Sequence, residues 1–308
     1  MNGARRTIRR WRGPRGLLAL ALCLACAAVR AEPVSLAHDE LTLLGYYEPP
    51  PAGAPVVLML HGTLAHGEME IMSTLREVFA EEGWGALSVS LSFGEDDRTG
   101  MYPCDSLHRH LISDAAGELA AWRAWLTDRG VTRVVLLGHS RGALQMAAFA
   151  ADAEPTAAEA LVLLAPPAPP DGREAERYGA RFDDVLAARV REAEALVAAG
   201  RGDETLADVG FLYCEDARVT AAAFLSYYGP TASTDIRPLL EASPRPVLVI
   251  AGSEDEISAG LPAALGPVVS PPRRRLVEID GADHFFRDLY AYDVVEAVQG
   301  FVGETVGP

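Results

Sequence analysis

The chain has 308 residues, 49% of them hydrophobic and 23% charged, a globular composition that excludes disorder, collagen and coiled coil. No stretch of 18 apolar residues occurs, which excludes a multi-pass membrane protein. All 27 basic residues are arginine, and the net charge is −16. Seven of these arginines fall in residues 1–31, which hold no acid, so the remainder of the chain carries −23. A body that acidic repels phosphate backbones, and nucleic acid is not an expected partner.

Arg5 to Arg15 form a basic segment, and Leu17 to Val29 follow as an apolar run too short to span a bilayer comfortably. Val29-Arg30-Ala31 then sets small residues at cleavage spacing before Glu32-Pro33. The pattern predicts a signal peptide over residues 1–31 and a mature chain from Glu32, periplasmic or secreted, with no integral span after cleavage. An uncleaved N-terminal anchor is the alternative reading. A lipoprotein acceptor at Cys26 is a weak signal, because Cys23 stands where such sites usually carry Leu. Cys23 and Cys26 leave with the signal. Cys104 and Cys214 remain, and an even pair in an oxidising compartment is a disulfide candidate.

From residue 34 onward, strand-length apolar runs alternate with helical patterns. Leu41 to Tyr47 reads as a first strand, and Pro55 to Leu60 as a buried one ending at His61-Gly62. Met69 to Ala80 has helical spacing, and Gly85 to Leu91 is again strand. Leu111 to Leu126 predicts a helix, with apolar residues at 111, 115, 119, 122 and 126. Arg133 to Leu137 is strand, followed by Gly-His-Ser-Arg-Gly and a helix over Ala143 to Ala151. Ala160 to Leu164, Pro246 to Ala251 and Arg275 to Ile279 complete the strands, and Val294 to Val302 lies in a closing helix. Wholly apolar strands separated by helices imply a parallel sheet covered on both faces. Residues 168–243 break this rhythm. They read as mostly helical, without a buried strand, and predict a cap or lid inserted between two strands.

The chemistry centres on Gly138-His139-Ser140-Arg141-Gly142. A Gly-x-Ser-x-Gly run is informative here because a buried strand precedes it and a helix follows. A serine on that sharp turn exposes its hydroxyl, and glycines on either side remove side chains that would clash. The hydroxyl needs a base, and the base needs an orienting carboxylate. Val247 to Ile250 runs into Gly252-Ser253-Glu254-Asp255-Glu256, and Arg275 to Ile279 runs into Asp280-Gly281-Ala282-Asp283-His284. Asp255 and His284 are the expected partners of Ser140. Glu254 and Glu256 compete for the acid role, but the turn from Gly252 brings Asp255 back over the sheet. Backbone amides should hold the oxyanion: Arg141 after the nucleophile, and Thr63 after the strand ending at Leu60, with Leu64 in reserve. His61 is expected to be structural.

Cys104-x3-His108-x-His110 has no second cluster to complete a metal site, and reads as a loop entering the helix at 111 and lining the pocket. Neither a phosphate loop nor a dinucleotide fingerprint occurs, so no cofactor is expected.

By these positions the chain resembles the α/β-hydrolase superfamily over roughly residues 40–303: His61-Gly62 at the oxyanion strand, Ser140 at the elbow, and Asp255 and His284 after the last two strands. The resemblance implies an α/β fold with a mostly parallel eight-stranded sheet flanked by helices. It also implies hydrolysis of a small-molecule acyl substrate, with a carboxylic ester as the expected bond and thioester, amide or peptide as alternatives. A non-catalytic binding or processing protein of the envelope is the competing reading, and the full Ser, Asp and His set argues against it.

Overall fold

The apolar runs spaced along the sequence fold side by side. The computed structural model describes residues 31–154, 158–232, 234–270 and 272–307, and residues 1–30 of the expected signal peptide lie outside that range. In chain order the first elements are β1 (Glu32–His38), β2 (Leu41–Glu48), β3 (Val56–Leu60), α1 (Glu70–Glu81), β4 (Gly85–Ser90), β5 (Leu107–His108), α2 (Asp114–Asp128), β6 (Val134–His139), α3 (Arg141–Asp152) and β7 (Ala160–Leu164). After a long insertion come β10 (Val247–Gly252), α8 (Leu261–Leu265), β11 (Arg274–Ile279) and α9 (Tyr290–Thr305).

Eight strands form one sheet in the order β1-β2-β4-β3-β6-β7-β10-β11. β2 pairs antiparallel with both β1 and β4, and every pairing from β4 to β11 is parallel. Side chains alternate across a strand, so each strand feeds two cores. Val57, Met59, Val135 and Leu137 pack with Leu75 and Phe79 of α1 and with Val298 and Phe301 of α9. Leu58, Leu136, Leu163 and Val249 face Trp122 and Leu126 of α2 and Met146 of α3. Each such aliphatic side chain removed from water contributes about 1.5–3 kcal/mol, which explains why these strands carry no polar face.

Two features depart from the sequence expectation. β1 was not expected. It is a seven-residue edge strand, exposed or half-buried throughout, with Pro33 near its start. The larger correction concerns residues 168–243, expected to be mostly helical. This stretch holds α4 (Glu174–Phe182), α5 (Leu186–Ala198), α6 (Ala221–Tyr228) and α7 (Arg237–Ala242), but also a hairpin of β8 (Thr205–Phe211) and β9 (Cys214–Thr220). Register shifts interrupt the hairpin, Asp208 takes a positive φ, and Glu215, Asp216 and Arg218 break its apolar runs. Its third strand is β5, about a hundred residues upstream, which no local pattern reveals. Cys104 and Cys214 are disulfide-bonded, with Cα atoms 5.4 Å apart, and join the loop before β5 to the start of β9. No helix among the described residues is long and apolar enough to cross a membrane.

Candidate active site

The C-terminal ends of β3, β6, β10 and β11 meet at one rim of the sheet, where parallel α/β sheets gather functional loops. At the end of β6, Ser140 sits at φ 54°, ψ −126°, a strained conformation for a residue with a Cβ. Its N–H donates to the Leu164 carbonyl at 2.9 Å, and its own carbonyl accepts from Ala143 N–H at 2.9 Å, fixing the turn from both sides. Glycine is obligatory beside it. A Cβ on Gly142 would collide with the His61 carbonyl oxygen and lie 2.8 Å from that of Leu60, and a Cβ on Gly138 would collide with the Gly142 carbonyl. Gly142→Ala is therefore expected to cost about 2–3 kcal/mol, because the obstructing atoms are backbone and cannot swing away. Denaturant melts of the variant would measure this, and an unchanged midpoint would refute the packing argument.

The structure brings Ser140, His284 and Asp255 into one hydrogen-bonded line. His284 Nε2 lies 3.0 Å from Ser140 Oγ, and His284 Nδ1 lies 2.8 Å from Asp255 Oδ2. An ionised carboxylate only accepts, so Nδ1 carries the proton and Nε2 is left to accept from the serine hydroxyl. The other oxygen, Asp255 Oδ1, accepts from the amides of Ile257 at 2.8 Å and Ser258 at 2.9 Å. Burial alone would raise the Asp255 pKa. The bonds from His284, Ser258 and Ile257 outweigh it and hold the carboxyl below its ordinary range. Asp255 and His284 are buried, whereas the competing acids Glu254 and Glu256 are exposed.

Thr63 and Arg141 line the same cavity as the serine. The chain at Gly62 passes so close that a Cβ there would be 3.2 Å from Ser140 Cβ. Thr63 N–H has no acceptor among the described residues, and Arg141 N–H belongs to the first turn of α3, where helical carbonyls are lacking. Leu64, the reserve donor, is buried with φ 52°. Ser140, Thr63 and Arg141 all line a cavity of about 610 Å³. The insertion supplies much of the opposite wall, including Glu174, Arg177, Leu186, Tyr227 and Tyr228, and the loop after Asp255 supplies Ile257.

Three buried residues shape this rim: His61, which takes the structural role expected of it, His139 inside the serine motif, and Arg98, which no motif marks. His61 Nδ1–H donates to the Gly62 carbonyl at 2.8 Å, and its Nε2 accepts from Leu91 N–H at 3.1 Å. Arg98 reaches the carbonyls of Leu91, Gly100 and Ala65 at 2.5–2.7 Å, stapling the loop after β4 to the loop after β3. His139 donates through Nε2 to the His284 carbonyl at 2.9 Å, which steadies the turn carrying that ring. The Cys104, His108 and His110 run is committed elsewhere. Cys104 is in the disulfide, and His108 and His110 pack among Tyr102, Phe211 and Tyr227. The two histidines stand behind the cavity wall rather than lining it, with His110 Nδ1 2.9 Å from Tyr227 Oη.

Burial, reinforced by neighbouring charge, lowers the pKa of His61 and of His110 to about 3 and of His139 to about 4. In the unfolded chain these rings take up protons below about pH 6.5. Between those limits the unfolded state binds more protons, so stability falls as pH drops. Asp255, with its folded pKa depressed, adds a further loss at the acid end of the range. The melting temperature is expected to be flat above about pH 7 and to fall steadily toward about pH 4.5. A flat profile across that whole interval would contradict the burial of neutral histidines.

A mostly parallel sheet with a serine elbow, an acid and a histidine on successive strand ends is the architecture of an α/β hydrolase. The chain belongs to the alpha/beta hydrolase family, whose model matches residues 57–297. Solved structures share the fold at low identity. Est1E from Butyrivibrio proteoclasticus, in a complex with ferulic acid, is 19% identical with a TM-score of 0.63 over 89% of this chain and 100% of that one. The alpha/beta hydrolase GrgF from Penicillium sp. sh18 is 16% identical with a TM-score of 0.64 over 89% and 98%. The esterase domain of a Rhodothermus marinus protein is 16% identical with a TM-score of 0.57 over 90% and 100%. No curated protein sequence matches the chain.

Proposed function

We propose that the chain is an exported serine hydrolase that cleaves a carboxylic ester through an acyl-enzyme. The observation that carries this reading is the line from Asp255 through His284 to Ser140, ending at the cavity wall. Ser140 Oγ attacks the ester carbonyl carbon while its proton passes to His284 Nε2. The amides of Thr63 and Arg141 hold the oxyanion. His284 then gives the proton to the departing alkoxide, leaving an acyl-serine and free alcohol. Water, deprotonated by His284, attacks the acyl carbon and releases the carboxylic acid, restoring the serine. Asp255 keeps the imidazole in the tautomer this sequence needs and stabilises its charged form.

Residues 168–243 act as the cap that selects the substrate, since they form the wall facing Ser140. The signal pattern over residues 1–31 and the Cys104–Cys214 bridge support a periplasmic or secreted location. The test is turnover of p-nitrophenyl esters of increasing acyl length by the chain from Glu32 onward. A chain-length optimum is expected from a bounded cavity. A folded sample that turns over no ester at any length would remove the ester assignment.

A further inference from the structure

We propose that the cavity beside Ser140 contains a carboxylate subsite built on the Arg141 guanidinium, so that the favoured substrates are esters bearing a second, ionised carboxyl group. This inference rests on the serine-hydrolase reading above and adds the chemical class of its substrate.

Two guanidinium groups line the cavity, and they differ in their partners. Arg177 is satisfied within the protein, bonded to Asp171 at 2.9 Å and Glu174 at 3.3 Å. Arg141 forms no ion pair among the described residues. Its Nε donates to Thr63 Oγ1 at 3.2 Å, and its guanidinium carbon lies 5.4 Å from the centre of the Tyr227 ring. These two contacts fix the plane of the group between the body of the enzyme and the insertion. They leave both terminal nitrogens, with four N–H donors, without an acceptor among the described residues.

Solvent satisfies such donors only until a substrate fills the cavity. An apolar group pressed against them would strand N–H donors, which is costly, and a neutral carbonyl would satisfy one of them without charge assistance. A carboxylate would replace water with two parallel charge-assisted bonds, the geometry a guanidinium fork fits best. The acids of the same cavity do not supply this partner: Asp171 and Glu174 are engaged by Arg177, and Glu256 is exposed. The acidic body gives no long-range attraction for anions, so the preference is one of contact, read between matched substrates. Arg141 directly follows Ser140, which places the carboxylate within one small molecule's length of the scissile bond.

The experiment compares matched pairs of esters. For a carboxylate on the acyl side, 4-nitrophenyl hydrogen adipate is set against methyl 4-nitrophenyl adipate. For a carboxylate on the alcohol side, 4-carboxyphenyl butyrate is set against its methyl ester. Uncatalysed hydrolysis is subtracted using enzyme-free blanks, and Ser140→Ala serves as the control for contaminating activity. In the wild-type enzyme the anionic member of at least one pair is expected to have the higher kcat/KM, by about tenfold or more. Arg141→Met is expected to lower that anionic-to-neutral ratio by about ten- to hundredfold, and Arg141→Lys by less, because an ammonium keeps the charge and loses the fork. Taking the ratio cancels any effect of the variants on the backbone amide of residue 141. Preference for the neutral member in both pairs, or a ratio unchanged in Arg141→Met, would overturn the subsite. Covalent labelling of Ser140 by a neutral fluorophosphonate separates the two claims. Labelling with no anionic preference overturns the subsite alone, and absence of both labelling and turnover overturns the hydrolase reading together with it.

Discussion

Ser140→Ala is expected to lower kcat/KM for an aryl ester by about 10⁵-fold while leaving the fold intact. The hydroxyl makes one side-chain bond, to His284 Nε2, and alanine keeps the Cβ that the turn already accommodates. Loss of the hydroxyl removes the covalent route but not the cavity or the oxyanion amides. A residual rate above water, about 10³–10⁴-fold, is the expected remainder. Spectrophotometric release of p-nitrophenol, with circular dichroism to establish folding, makes the comparison. A rate within tenfold of wild type would mean that another group performs the attack.

Asp255→Asn is expected to lower kcat by about 10⁴-fold with little change in KM. The reason lies in how the carboxylate is shared. Oδ1 already accepts from two amides, those of Ile257 and Ser258. An asparagine would turn its carbonyl oxygen to those amides and present its NH₂ to His284 Nδ1. Two donors cannot face each other, so the ring proton would move to Nε2. Ser140 would then meet a donor where it needs an acceptor. Asp255 is buried behind the histidine and does not line the cavity, so substrate binding should be spared. A loss confined to KM would contradict this role. Neither Glu254 nor Glu256 can substitute from its exposed position, so the acidic crowding should give no rescue.

The parallel half of the sheet is readable in sequence because burial on both faces leaves unbroken apolar runs, as in Val56–Leu60, Val134–Leu137 and Ala160–Leu164. Ser140, Asp255 and His284 are readable for a related reason, since each follows such a run at a turn marked by glycine. The hairpin of β8 and β9 is not. Its shifted registers break the alternation, and its third strand comes from residues 107–108. Helix starts blur where side chains compete with backbone. The apolar spacing begins at Leu111 but α2 begins at Asp114, after a turn in which Leu111 N–H donates to Asp114 Oδ2 at 2.7 Å and Asp114 N–H to the Leu111 carbonyl at 3.2 Å. Arg98 carries no pattern at all, and His139, although inside the serine motif, has a variable place in it that assigns no role. Their contribution is to hold carbonyls of distant loops, and only the fold makes those neighbours.

The central claim is that Ser140 is a nucleophile activated by His284, and covalent capture tests it most directly. The chain from Glu32 would be treated with a fluorophosphonate and its intact mass measured, followed by peptide mapping. The expected result is a single adduct on Ser140, formed rapidly by wild type, absent in Ser140→Ala and much slower in Asp255→Asn. A folded wild-type protein that forms no adduct, or whose adduct maps to another residue, would contradict the account.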